Sequence, residues 1–351
     1  LKQLIATPSL SGQEEHTATL INAYLQKQGV AARCFKNNVW AVNKHFDPQK
    51  PTVMLNSHHD TVKPAAGYSR PPFEPQIEQG RLYGLGSNDA GGPLVSLIAA
   101  FLYFYDKPGL PFNILLAATA EEEISGRQGI AALIGELPPV AVAIVGEPTR
   151  MQMAIAEKGL LVLDCTVHGR AAHAAHGEGD NAIYKALKDI ERIRTYRFAK
   201  VSPLLGPVKM TVTIIRAGSQ HNVVPDTCTY TIDVRTTDAY THEEILAELD
   251  RMLQAEIKPR SLRLRPSAIS QDHPLVKAGK QLGMSTYGSP TLSDQSLIDI
   301  PSIKLGPGDS TRSHTPDEYI LLDEIGDGIL KYIELLKIFF TQKSTAHETL
   351  G

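Results

Sequence analysis

The sequence predicts an α/β domain with a mixed or parallel central sheet flanked by helices, interrupted by an inserted α+β domain of ferredoxin-like order. Three observations predict it. Apolar runs without polar alternation, PTVMLN at 51–56, FNILLAATA at 112–120 and VAVAIV at 140–145, read as strands buried on both faces of a parallel sheet. Each of these runs empties directly into a polar cluster. Between residues 158 and 267 the rhythm changes to alternating strands and helices in the order β-α-β-β-α-β.

Taken in order, residues 1–29 read as a short helix, a Pro/Ser/Gly turn and a second helix, with Ser11 as N-cap, Glu14 as its capping-box partner and Gly29 as the stop. Strands are expected at 30–35 and 38–42. The strand at 51–56 then delivers Ser57-His58-His59-Asp60. Residues 63–80, rich in Pro, Gly and aromatics, form a surface loop leading to GLGSNDAGG and a helix over 94–105, with Asp89 just before it. The strand at 112–120 runs into Glu121, Glu122 and Glu123. A helix is expected at 129–137, and the strand at 140–145 ends in GEPT, which carries Glu147. PSIKLGPGDSTRSHTPDE repeats the scheme with His314 after a strand and a Gly/Pro loop, and an amphipathic helix over 322–340 closes the core. The insert is expected to hold strands at 158–169, 208–218, 226–236 and 261–267 and helices at 181–195 and 241–257. The α/β domain is therefore 1–157 with 268–351, and the inserted domain 158–267.

A chain of 351 residues accommodates two domains. Its formal charge of -3 and pI near 6.5 come from mixed charges, with no basic stripe for nucleic acid and no acidic tail. No apolar run is long enough to cross a bilayer. The three cysteines, Cys34, Cys165 and Cys228, form no CxxC pair and read as small core residues. The chain opens at Leu1 without an initiator Met, consistent with a processed or trimmed N-terminus; no secretory segment remains, and a cytoplasmic location is expected. GLGSNDAGG lacks the G-x-G-x-x-G spacing, which argues against a dinucleotide site.

Three adjacent glutamates at the mouth of a buried strand repel one another unless a positive charge sits among them. A metal ion supplies one most simply; the alternative is the acidic first turn of a helix. In open α/β sheets ligands bind outside the carboxyl ends of the strands, and that rule gathers His58, Asp60, Asp89, Glu121 to Glu123, Glu147 and His314 at one rim. Zinc accepts imidazole and carboxylate ligands, and two zincs about 3.5–4 Å apart share a carboxylate and a water. Each residue alone is unremarkable at a strand end, but such groups at successive element ends supply the histidines, the carboxylates and one further carboxylate as proton carrier.

Across essentially its whole length the chain resembles the M20 family of metallopeptidases and deacylases, through SHHDTV, GLGSNDAGG, AEEEISG, VGEPT and HTPDE. The resemblance implies a zinc-peptidase-like catalytic domain in which His58, Asp89 and Glu147 hold one zinc and Asp89, Glu123 and His314 the other, with Asp89 as the bridge and cobalt able to substitute. It implies Glu122 as general base, Asp60 as the orienter of a ligand imidazole, Glu121 as an outer residue and His59 as structural. The insert is similar to the family's lid and dimerisation domain. His173, in GRAAHAAHGEGDNAI, takes the place of the histidine that reaches a homodimer partner's active site as an oxyanion donor; the proline expected after it is missing, the stretch before Asn181 is one residue short, and His176 is a second candidate. Asn222 and Arg235, in HNVVPDTCTYTIDVR, match substrate-binding positions.

The implied reaction is hydrolysis of an amide between a short acyl group and an amino acid's nitrogen. LSDQSLI and GPGDSTRSHTPDE look most like the acetylornithine and acetylcitrulline deacetylase branch, hence an acetylated or succinylated ornithine or citrulline in arginine biosynthesis. Succinyl-diaminopimelate desuccinylase or dipeptidase activity, and a non-catalytic binding protein on the same fold, are the alternatives.

Overall fold

The computed structural model describes the backbone of residues 1–348 and side-chain surroundings for residues 1–342. The chain divides into two compact units, one of residues 1–155, 268–287 and 293 onward, the other of residues 156–267 and 288–292.

In the first unit the strand Thr52–His58 runs parallel between Asn113–Thr119 and Val142–Val145. Ser302–Lys304 continues the parallel set beyond Val142–Val145, while Asn38–Val42 pairs antiparallel with the other flank. The sheet is mixed around a parallel core. Every residue of Thr52–His58, Asn113–Thr119 and Val142–Val145 is buried, which is why these segments read as unbroken apolar runs. Trp40, Met54, Leu115 and Val145 pack against Ile130 and Leu133. The helices Gly92–Tyr105 and Leu322–Glu348 pack together, with Phe112 placing its ring centroid 4.8 Å from Phe339 and 5.4 Å from Phe340. Because the four parallel strands point the same way, the segments that follow them leave from one edge of the sheet. Among the described residues no helix is long and apolar enough to cross a membrane.

The second unit holds a four-stranded antiparallel sheet in the order Glu256–Pro259, Gly159–His168, Thr227–Thr236, Lys209–Ala217, with the helices Ala182–Thr195 and His242–Met252. This is the ferredoxin-like arrangement. Leu161, Leu163, Cys165 and Val167 alternate into the core with Cys228, Tyr230, Ile232 and Val234 and meet Ala186, Ile193, Ile245 and Leu249 from the helices. Asn181 caps the first helix by accepting the Ile183 N–H at 2.9 Å, and Thr241 with Glu244 forms a capping box on the second.

Several expectations need correction. Ser11 caps no helix: its hydroxyl donates to Asp60 Oδ2 at 2.7 Å, and the helix starts at Glu15 with Glu14 buried before it. The first strand is only Arg33–Phe35, and Cys34 on it is exposed, so only Cys165 and Cys228 are core thiols. The fourth strand of the second unit is Glu256–Pro259 rather than 261–267, and the helix before it stops at Met252. The cause is Asp189, wholly buried, whose carboxylate accepts the N–H groups of Gln254 and Ala255 and turns the chain out of the helix.

Candidate metal centre

His58 ends its strand with a ring that is 1% exposed. Its Nδ1 faces the Asp60 carbonyl at 3.0 Å and the Asp60 carboxylate at 3.4 Å, both acceptors, so Nδ1 carries a proton and Nε2 is the ring nitrogen left to face the cluster. That Nε2 lies 3.2 Å from Asp89 Oδ1 and 3.8 Å from both Glu122 Oε2 and Glu147 Oε1. His314 sets its Nε2 2.9 Å from Glu123 Oε2 and 3.7 Å from Asp89 Oδ2. Asp89 thus offers one oxygen to each histidine. Donor atoms of His58, Asp89 and Glu123, and of His58, Glu122 and Glu147, lie within 4.8 Å of one another. The structure therefore brings His58, Asp89, Glu122, Glu123, Glu147 and His314 together from five segments.

The glutamate triplet opens no helix. Glu121 takes a left-handed φ of 56°, and the chain turns so that Glu122 and Glu123 face the cluster's partners while Glu121 accepts the Gln128 N–H at 2.9 Å. Asp60, fully buried, holds this turn: Oδ1 accepts the Glu122 N–H at 3.0 Å and Oδ2 the Glu123 N–H at 3.1 Å. Glu14 secures the other end by accepting the Glu121 N–H at 3.3 Å and an Asn37 amide N–H at 2.9 Å. His59 points away, bonded to Thr17 and to the Asn37 carbonyl, and burial lowers its pKa to about 4, which keeps it neutral.

Three further residues of the site escaped sequence reasoning. Glu318, in the HTPDE segment, accepts backbone N–H groups of the Asp89 loop; burial and the Asp89 carboxylate push it up to about 8, against the pull of those amides. Asp294, in LSDQSLI, is buried, accepts the Thr119 hydroxyl at 2.7 Å, and is pushed up to about 6 by burial, with Asp60 adding to the rise. Asn88, beside Asp89, bonds to Asp309 and Ser313. Their only sequence signal was proximity to motif residues.

Burial pushes Glu122 and Glu147 well above the usual carboxylate range, with neighbouring carboxylates adding to the rise, and raises Glu123 as well. His58 is raised too, but by its partners: burial opposes its charge, while Glu122 and hydrogen bonds to Asp60 and Asp89 hold its pKa well above the ordinary value. The Glu123 hydrogen bond raises His314 to about 9. So many acidic oxygens around two imidazoles, with no thiolate, make a donor set that fits divalent cations of the zinc, cobalt or manganese type. The buried carboxylates are the ones such charge relieves.

His173, Asn222 and Arg235 belong to the second unit. His173 lies in a two-residue strand beside Val223, exposed, and its Nδ1 accepts the Ala175 N–H at 3.2 Å, so the neutral ring carries its proton on Nε2 as a donor. The His176 ring lies beside it, tilted at 52° with ring centroids 5.3 Å apart. The Asn222 carbonyl accepts the Ala174 N–H at 2.9 Å. The Arg235 fork is engaged by the Asp233 carboxylate at 2.9 and 3.1 Å.

Residues 54–338 match the profile of peptidase family M20/M25/M40. A [LysW]-lysine/[LysW]-ornithine hydrolase of Saccharolobus solfataricus is 30% identical over 292 residues, covering 80% of this chain and 79% of its own. Succinyl-diaminopimelate desuccinylase of Corynebacterium glutamicum is 27% identical over 346 residues, 93% and 92% of the two chains. The crystal structure of an M20 family metallo-carboxypeptidase from Sulfolobus solfataricus superposes with a TM-score of 0.77 at 20% identity, covering 97% of this chain and 98% of that one. With a profile match across most of its length and the fold to go with it, the chain belongs to peptidase family M20/M25/M40.

Proposed function

We propose that this protein is a di-zinc amidohydrolase that removes a short acyl group, acetyl or succinyl, from the amino nitrogen of an amino acid such as ornithine or citrulline, in the cytoplasm and in the service of arginine biosynthesis. The observation that carries the reading is Glu122: its backbone is held by Asp60, and its carboxylate lies 3.8 Å from the His58 nitrogen that faces the candidate metal ligands. The proposed ligands are His58, Asp89 and Glu147 for one ion and Asp89, Glu123 and His314 for the other; when bound, the pair polarises the acyl carbonyl and acidifies a water.

The protein's own groups do the rest. Glu122 takes the proton of the attacking water and returns it to the departing amine, and burial makes this carboxylate a stronger base than a solvated one. His173 offers Nε2–H to the oxyanion that develops on the acyl carbonyl. Asn222 and Arg235 hold the substrate's polar end, Arg235 exchanging its bidentate bond to Asp233 for a substrate carboxylate. The names of the two relatives, a hydrolase of [LysW]-lysine and [LysW]-ornithine and a desuccinylase, support hydrolysis at an acylated amino acid.

A homodimer through the second unit is part of the proposal. Lys209–Ala217 is an edge strand exposed along most of its length, with Ile214 and Ile215 in solvent, and an unpaired edge of this kind is a template for pairing with a second copy. Steady-state kinetics of the metal-loaded protein on acetyl- and succinyl-ornithine, the matching citrullines, succinyl-diaminopimelate and dipeptides tests the reading. The expected result is highest kcat/KM on an acylated ornithine or citrulline. A tenfold preference for a dipeptide would move the assignment within the family, and no turnover on any member would favour a binding protein.

A further inference from the structure

We propose that Glu318 is a positioning residue that keeps the Asp89 carboxylate between His58 and His314 by gathering the backbone of the Asp89 loop onto one side chain. The inference rests on the metal-centre reading above. Glu318 is 2% exposed. Its Oε1 accepts the N–H groups of Asn88 and Asp89, both at 2.9 Å, and its Oε2 accepts the Gly86 N–H at 3.1 Å. Backbone N–H groups only donate, so an acceptor with two oxygens is the side chain that satisfies all three. Its own carbonyl accepts the Gly84 N–H at 2.9 Å, extending the attachment.

Glu318 stands four residues after His314, so the segment that delivers one ligand grips the loop that delivers the other. Asn88 laces the same two segments further along. Its Nδ2 donates to the Asp309 carbonyl at 3.0 Å and to Ser313 Oγ at 3.2 Å, and its Oδ1 accepts the Asp309 N–H at 3.0 Å. His314 and Asp317 lie between these fastenings with φ of 59° and 55°, a left-handed conformation that non-glycine residues hold only where their surroundings impose it. Asp317 is fixed in turn by the Ser69 N–H at 2.9 Å. A ligand pair supported this way depends on the supporting shell for its affinity.

Glu318→Gln sets an amide NH2 where one of the oxygens stood, which breaks at least one of the three bonds while keeping the shape. The experiment compares apoprotein of wild type and Glu318→Gln, titrated with Zn2+ or Co2+ alone under chelator competition, with the Co2+ d–d absorption as a readout of ligand geometry. Wild-type protein that binds no ion would defeat the metal-centre reading itself, independently of Glu318. With wild type binding, the expected result is a native far-UV spectrum for the variant, affinity for at least one ion reduced about 10- to 100-fold, and an altered Co2+ spectrum. Unchanged affinities and spectrum would overturn the proposal whatever happens to the Tm, because a role confined to folding moves only the Tm. Glu318→Asp, which keeps both oxygens and shortens the reach, decides the matter if Glu318→Gln does not fold. Failure of both to fold would assign the residue to folding and overturn the proposal.

Discussion

The Asp60 carboxylate accepts the backbone N–H of Glu122 at 3.0 Å, so the residue two positions after His58 also fixes the turn that carries Glu122. Asp60→Asn replaces one acceptor with a donor opposite the Glu122 or Glu123 amide. The expected outcome is a 10- to 100-fold fall in metal affinity or turnover with the fold retained, checked by metal titration and kinetics. Asp60→Ala orphans two amides and the Ser11 hydroxyl, and unfolding in urea should show a loss of roughly 2–4 kcal/mol.

Glu122→Gln removes the proton carrier without changing its size. Turnover should fall about 10²- to 10⁴-fold, while elemental analysis finds the metal content of wild type. Substantial retained activity would exclude Glu122 as the base.

Removing metal should abolish hydrolysis and lower stability, because a bound cation would offset the mutual repulsion of the buried Glu122, Glu123 and Glu147 carboxylates. Elemental analysis should find about two divalent ions per chain. At a free metal concentration about 1,000-fold above Kd the linkage stabilises the fold by about 4 kcal/mol for each site occupied. Calorimetry with and without chelator reads the difference, and an unchanged Tm would contradict it.

His242 predicts a pH effect within the second unit. Burial lowers its pKa, with Arg265 adding to the effect, and its Nε2 lies 3.1 Å from Thr236 Oγ1. Above about pH 6.5 the ring is neutral in both folded and unfolded chains and contributes no pH dependence. As pH falls below that value the unfolded chain takes up a proton that the folded ring refuses, so stability declines toward the lowered folded pKa and then levels. The slope attributable to this ring is at most about 1.4 kcal/mol per pH unit, and His242→Gln should flatten it in urea unfolding between pH 5 and 7.

The proposed dimer gives a complementation test. Mixing His173→Ala with Glu122→Gln subunits should recover part of the activity if His173 acts on its partner's site, and verified mixed dimers without recovery would end that idea. Ile214→Lys on the exposed edge strand should shift sedimentation toward monomer.

What the sequence determined by itself was the sheet and where its polar ends lie. Runs such as Val53–Leu55 and Ile114–Ala118 are apolar without alternation because both faces of a parallel strand are covered, and His58, Glu122 and Glu147 follow such runs directly. These are local patterns, legible within a few residues. Tertiary structure alone decided the rest. Glu318 meets amides 229 to 232 positions away, Asp294 meets Thr119 at a separation of 175, and Asp189 ends a helix through Gln254, 65 residues on. Glu14 read as half of a local capping box, yet it holds Glu121, 107 residues later. A buried carboxylate takes whichever donors the fold brings to it, and neither periodicity nor spacing along the chain encodes that choice.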